Sequence, residues 1–261
     1  MGEYQNVKYG VADRIATITI DHPPANAFDT QTMLDLEAAF DEAINDAEAK
    51  AIIITGAGQF AFVAGADINE IDALKSPEQA LEVLLKGQSV FNKIEASRKP
   101  VIAAINAVCL GGGNELAMSC HIRIASANAR FGQPEINLGM IPGWGGTQRM
   151  PRYVGKGKAL ELLLTGDMIN AQEAYRIGLI NQVVPAGQVM KAAQGLAKKI
   201  VSHSAVSISA MLDSVESGLA GSLADGLLGE ANRCAALLDS QDMREGVRAF
   251  LEKRRPQFQD K

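Results

Sequence analysis

Cysteine is scarce: the chain of 261 residues has three, Cys109, Cys120 and Cys234. They are odd in number, lack metal-ligand spacing, and each lies in an apolar segment where a free thiol behaves as a small hydrophobe. No metal site is expected, and a reducing cytoplasm is the natural compartment. Positive charge is also short, with 25 Lys and Arg against 30 Asp and Glu and a formal net charge of −5. That balance leaves no electrostatic footprint for a phosphate backbone, so nucleic acid is not an expected partner. The longest apolar stretch, Val101 to Leu110, is far too short to span a bilayer. The first ten residues lack the basic-then-apolar layout of a signal peptide, and Asn6 stands where a myristoylation signal needs Ser or Thr. A soluble protein without a membrane partner is expected. Walker, GxGxxG, HExxH and GxSxG patterns are all absent. Gly155-Lys156-Gly157-Lys158 lacks the earlier glycine of a phosphate loop and has lysine in place of Ser/Thr, so it reads as a helix entry with solvated lysines. His22, His121 and His203 are isolated from one another and read as structural.

What is present is an alternation of strand and helix signals. Ile15 to Ile20 alternates at a period of two and stops at Asp21-His22-Pro23-Pro24. Met33, Leu34, Leu36, Phe40 and Ile44 recur at helical spacing after a capping Asp29 or Thr30. Ala51 to Gly56 and Val101 to Ile105 are apolar runs suited to strands covered on both faces. Ser76-Pro77 opens a helix expected to reach about Ala96. Alternation continues through 121–126, 157–164, 171–177 and 181–184, which predicts an α/β protein of stacked β/α units. After Pro185 only helices are expected, divided at Ser217-Gly218 and Gly221-Ser222. The expected division is a core over residues 1–190 and a helical region over 191–261. The helical region's apolar stripes, Ile208, Met211, Leu212, Val215 and Leu223, Leu227, Leu228, exceed what one small domain needs and predict an oligomer.

Three segments can carry chemistry. In Ala64-Gly65-Ala66-Asp67 small residues let the backbone approach a ligand, with a plain tight turn as the alternative, and Asp67 can cap a helix beginning at Ile68. In Leu110-Gly111-Gly112-Gly113-Asn114-Glu115 the glycines open a helix whose free N–H groups and positive dipole end favour an anion. Residues 112 and 115 share one side of its first turn, placing a backbone donor beside a carboxylate. An acidic residue merely favoured by the helix dipole is the alternative for Glu115. In Phe131-Gly132-Gln133-Pro134-Glu135, Pro134 pushes Gln133 toward an extended conformation, so Glu135 falls on an irregular segment. The intervening chain is long enough for a helix, a strand and a return, which can bring Glu135 beside Glu115. Pro142-Gly143-Trp144-Gly145-Gly146 supplies a further turn with exposed backbone.

The segments FVAGADINE (62–70), AVCLGGGNELAMSCHIRIAS (107–126) and FGQPEINLGMIPGWGGTQR (131–149), continuing through LLLTG and RIGLINQVVP, resemble the enoyl-CoA hydratase (crotonase) family nearly end to end. The resemblance implies a spiral of ββα units and a C-terminal helical region that builds a homotrimer or a dimer of trimers. It implies an acyl-CoA substrate, with CoA part of the substrate and no separate cofactor. The oxyanion hole would come from the backbone N–H groups of Ala66 and Gly112. Glu115 and Glu135 would be the catalytic acids, and the Gly143 N–H would help hold a water. Ala25, Ala64, Asp67 and Ile68 would contact CoA, Trp144 would line the acyl pocket, with a tryptophan buried in the core or at a subunit contact as its alternative, and Lys253 would reach a neighbour's CoA phosphates. The implied reaction is reversible addition of water to a trans-2-enoyl-CoA, giving a 3-hydroxyacyl-CoA, with Glu115 as base and Glu135 as acid. Isomerisation of a 3-enoyl-CoA is the alternative within the family, and a binding protein without catalysis the alternative outside it. Asn69 in place of a common lysine, a short turn at Pro23 to Asn26, and Trp144 in place of alanine depart from the family pattern. They bear on CoA affinity and chain length, not on the chemistry.

Overall fold

The computed structural model describes residues 4–261; the first three residues of the segment read for targeting signals lie outside that range. Strands β1 (Val7–Ala12) and β2 (Ile15–Ile20) form an antiparallel hairpin. Its two-residue turn, Asp13-Arg14, has positive φ at both positions (53° and 65°), as a turn matching the strands' twist requires. Helix α1 (Thr30–Asn45) is capped by the Asp29 carboxylate, which accepts from the Thr32 N–H, and buries Met33, Leu36, Ala39, Phe40 and Ala43. Strand β3 (Ala51–Gly56) is buried at every position.

From there the chain repeats one pattern. After β3 comes a short strand, β4 (Ala61–Val63), then helices α2 (Ile68–Asp72) and α3 (Pro77–Glu95). Next are β5 (Val101–Ile105), β6 (Val108–Leu110) and α4 (Gly112–Ser119). Then follow β7 (Ile122–Ser126), β8 (Arg130–Gly132), a 3-10 helix (Pro134–Leu138), α5 (Gly146–Val154) and α6 (Lys156–Thr165). Each turn of this spiral gives one strand to each of two sheets. The larger sheet has the order β1-β2-β3-β5-β7-β10 and the smaller β4-β6-β8-β9, after β9 (Ile169–Asn170), α7 (Ala171–Arg176) and β10 (Gln182–Val184) complete them. Among the described residues only the β1–β2 and β8–β9 pairings are antiparallel. The α/β spiral expected from the sequence is present.

Both faces of the large sheet are covered, which is why its central strands read as unbroken apolar runs. Ile52, Ile54, Ala103 and Ile105 face the main core with Phe40, Phe62, Phe91 and Phe131. Ala51, Ile53, Ile102 and Ala104 face the opposite way, onto Val189, Ala193 and Ala197 of α8 (Val189–Ile200).

Beyond α8 lie α9 (Ala205–Ala220), α10 (Leu223–Ala236) and α11 (Gln241–Leu251). Gly221-Ser222 divides α9 from α10 as expected, but Ser217-Gly218 lies inside α9. Ser217 turns its hydroxyl back onto the Asp213 carbonyl (2.6 Å), and Gly218 lies against Gly226 of α10, where a Cβ added to Gly226 would meet the Gly218 Cα at 3.2 Å. These small residues serve a close helix crossing, not a helix break. Cys109 and Cys120 are buried, whereas Cys234 is exposed on α10. Helices α9, α10 and α11 also leave Met211, Val215, Leu223, Leu227, Leu228 and Phe250 open to solvent.

Candidate active site

The parallel strands β4, β6 and β8 end side by side, and each runs into one of the segments singled out in the sequence. The turn after β4 is stitched to residues 25–28: Ala25 O accepts from Ala64 N (3.1 Å), Gly65 O from Phe28 N (2.8 Å) and Phe28 O from Asp67 N (2.7 Å). In this parallel pairing Ala66 opposes Phe28, and the N–H of Ala66 points away from the pairing partner. Asp67 then caps α2 by accepting from the Asn69 N–H. After β6, Gly111 takes φ 51° and ψ −124°, and its N–H reaches Gly132 O of the β8 end at 3.0 Å. The first bond within α4 is Glu115 N to Gly111 O (2.9 Å), so the Gly112 N–H is one of the free donors at a helix start.

Glu115, in the first turn of α4, is 1 % exposed. Its Oε1 accepts from the N–H groups of Trp144 and Gly146, both at 2.8 Å. Burial pushes its carboxyl up to about 7; the Gly146 donor pulls it down, the Glu135 charge pushes it up, and the Trp144 donor and the Arg149 charge pull it down. Glu135 follows Pro134 in the first turn of the short 3-10 helix, with Gln133 at φ −125° and ψ 81° before it. The segment is therefore a tight helical turn where an irregular one was expected, because a proline suits a first helical position. Glu135 Oε1 lies against Gly111, where an added Cβ would come within 3.0 Å, and its Oε2 is buried without a partner. Burial raises its carboxyl as well.

Trp144 is buried, packed edge-on against Phe28 (centroids 5.9 Å, 81°) and Phe91 (5.8 Å, 80°). The same ring covers Gly112, where an added Cβ would lie 2.5 Å from it, and Gly87 of α3. The indole thus belongs to the core and also walls the start of α4. Gly143 gives its carbonyl to Gln88 Nε2 at 2.8 Å and has Leu84 against its Cα.

The structure therefore gathers Ala66, Gly111, Gly112, Glu115, Glu135 and Trp144 at the ends of β4, β6 and β8. Ala25 and Ala64 lie beside them, half-buried, and Ile68 is exposed on α2. Lys253 lies in the exposed segment after α11. Among the described residues no three His, Cys, Asp or Glu side chains converge as a metal site would require, and no helix is long and apolar enough to cross a membrane. Sequence reasoning passed over Arg149, whose buried guanidinium reaches Trp144 O at 2.9 Å, and the buried amides of Asn114 and Gln133. No periodicity signals a buried polar side chain. Chemically, the site offers free backbone donors at a helix start beside two desolvated carboxyls, so it can stabilise a developing oxyanion and move protons on either side of it.

A family model described as enoyl-CoA hydratase/isomerase matches residues 10–261. A probable enoyl-CoA hydratase of Bacillus subtilis is 43 % identical over 253 residues, covering 97 % of this chain and 98 % of that protein. A short-chain-enoyl-CoA hydratase of Clostridium acetobutylicum is 42 % identical over 254 residues, 97 % of each chain. The crystal structure of an enoyl-CoA hydratase from Bacillus anthracis superposes with a TM-score of 0.94 at 35 % identity, covering 98 % of this chain and all of that one.

The buried Glu115 gives a stability signature. Its carboxyl is held at about 7 in the fold against 4.5 ordinarily. As pH rises from about 4.5 the unfolded chain gives up this proton before the folded chain does, so stability is lost up to the folded value and levels off above it. Glu115→Gln removes that loss. Its thermal midpoint relative to the parent chain should rise between about pH 5 and pH 8, and the two should converge near pH 4. Midpoints whose difference stays constant over that range would contradict the burial of an ionisable Glu115.

Proposed function

The chain belongs to the enoyl-CoA hydratase/isomerase family, and we propose that it adds water reversibly across the 2,3 double bond of a trans-2-enoyl-CoA. The observation that carries this reading is the pair of desolvated carboxyls, Glu115 and Glu135, around the glycine-opened start of α4. The N–H groups of Ala66 and Gly112 would receive the thioester oxygen, where negative charge grows as water attacks C3, and so favour the transition state over the ground state. Glu115 would accept a proton from that water while its oxygen bonds to C3, and Glu135 would deliver a proton to C2. The two backbone donors on Glu115 Oε1 suit a carboxylate, and the unpartnered Oε2 of Glu135 suits a neutral acid. By microscopic reversibility they exchange roles in the reverse direction, Glu135 taking the proton from C2 and Glu115 returning one to the departing water. Isomerisation needs one shuttle base and would leave the second acid without a task, so the complete pair favours hydration. Ala25, Ala64, Asp67 and Ile68 are the proposed CoA contacts, and the Gly143 N–H a proposed water donor. A cytoplasmic location fits this substrate.

Trp144 supports a preference for short acyl chains, because its ring fills the space against Gly112 and Gly87 and one similar protein is named a short-chain hydratase. We place an oligomeric contact, a trimer or dimer of trimers, on the open apolar faces of α9 to α11; Lys253 would there reach a neighbour's CoA.

Three measurements test these points. With crotonyl-CoA, followed by loss of the conjugated-enoyl absorbance, Glu115→Gln and Glu135→Gln should each lower turnover by roughly 100- to 10,000-fold, and the double variant by much less than the product. A folded Glu135→Gln chain with near-normal hydration would eliminate the two-carboxylate mechanism. Trp144→Ala should raise decenoyl-CoA turnover relative to crotonyl-CoA by about 10-fold or more; an unchanged ratio removes the ring from the acyl pocket. Sedimentation should show a trimer or hexamer at micromolar concentration, and a stable monomer would refute the contact assigned to α9 to α11.

A further inference from the structure

Arg149 is 7 % exposed and lies between α3 and the turn 142–146. From α3 it takes Glu95 Oε2 on Nε (3.0 Å) and Nη2 (2.7 Å), and Asn92 Oδ1 on Nη2 (2.6 Å). Asn92 and Glu95 are three residues apart, so both project from one side of that helix. The remaining arm of the guanidinium, Nη1, donates to Trp144 O at 2.9 Å. Its own backbone N–H donates to Gly145 O at 2.7 Å. Gly145 sits at φ 118°, and an added Cβ there would come within 2.2 Å of Nη1. The guanidinium thus packs against the turn and holds its Trp144 carbonyl, while the N–H groups of Trp144 and Gly146 end on Glu115 Oε1. The two peptide groups flanking the Trp144 Cα are held separately, one by Glu115 and one by Arg149.

We infer that Arg149 is a positioning residue, clamped to α3 through Glu95 and Asn92, that fixes the 143–146 turn and thereby the orientation of Glu115 without touching substrate. The inference rests on the hydratase reading and deepens it. A lysine cannot replace it, because a single ammonium lacks the planar fork needed to span Glu95, Asn92 and the Trp144 carbonyl together. Its charge also acts on Glu115 directly, pulling that carboxyl down. The groups that share this field are Glu135 facing Glu115, Glu95 from α3, Glu216 from α9 and Cys120 at the end of α4.

The test is steady-state hydration of crotonyl-CoA by the full chain from about pH 5 to pH 9, for the parent, Arg149→Lys, Arg149→Met and Glu95→Gln, with thermal midpoints. Both Arg149 variants should lose roughly 10- to 100-fold in kcat with KM changed less than about threefold, as expected for misplacement of a reacting group. In Arg149→Met the acidic limb of the profile should move to higher pH, since a base that must be ionised loses a cation and two aligned donors. Arg149→Lys should keep the limb nearer the parent's while sharing the loss in kcat. Glu95→Gln should lower kcat without an upward move of the limb, and it keeps the question answerable if Arg149→Met does not fold. Folded variants with kcat within about twofold of the parent, or a loss that tracks the folded fraction with an unmoved limb, would overturn the inference. A parent chain that does not hydrate crotonyl-CoA would remove the functional reading and this inference together, whereas an active parent beside normal variants would remove this inference alone.

Discussion

A carboxylate buried at the start of α4 is the constraint from which the local architecture follows. Taking Glu115 out of water is unfavourable unless donors replace the water. The chain provides them as backbone N–H groups from a turn far along the sequence. Bringing that turn against α4 requires near-absence of side chains. Gly145 adopts a positive φ beside Arg149, Gly146 lies against Gln133 and Pro142, and Gly112 lies under Trp144. On the other side of α4, Gly113 lets the helix rest on β4, where an added Cβ would meet Val63 O at 2.1 Å. The glycines of 111–113 and 143–146 are therefore one spatial requirement seen at two places in the sequence.

The spiral makes this meeting possible. Because each ββα turn adds a parallel strand to the small sheet, the C-terminal ends of β4, β6 and β8 fall side by side. Open α/β sheets present ligand sites at those ends. The neighbouring large sheet, packed on both faces, holds the strand ends in fixed register. Loops raised on such a support can keep the precision that proton transfer needs.

Legibility in the sequence followed the same division. Strands β3 and β5 were readable because two-sided burial writes them as apolar runs, and β2 and β7 because apolar residues alternate along them. Strands β4, β6, β8 and β9 were not, since two or three residues establish no period. β1 was missed because its positions after Val7 are only partly buried or exposed. The Ser217-Gly218 break failed because glycine within a helix can serve a close crossing, a fact about the partner helix and not about local sequence. In the site, the glycine run before Glu115 and Pro134 before Glu135 announced unusual backbone, and the family resemblance supplied the pairing of the two acids. Arg149 left no such trace. Its role arises from α3 and the 143–146 turn converging on it, and Asn92 and Glu95 read locally as ordinary polar positions of an amphipathic helix.

The distribution of unsatisfied groups points the same way. Among the described residues, buried side-chain atoms without a hydrogen bond occur at Asn106, Asn114, Gln133, Glu135 and Trp144. Four of these five lie on α4, beside it, or on the segments that converge on its start. Unpaired polar atoms thus gather where the segments bearing Glu115 and Glu135 converge, and among the described residues none of them lies within a strand of the two sheets. Natural proteins break local rules chiefly at functional sites and compensate elsewhere. Here the compensation is visible in the two-sided packing of β3 and β5 and in the clamp of Arg149 on α3. A cheaper arrangement, with an apolar residue at 115 and no turn to hold, would remove the only backbone-held carboxylate at the start of α4. The polar groups that leave this corner incompletely paired therefore gather around the two carboxyls on which the proposed chemistry depends.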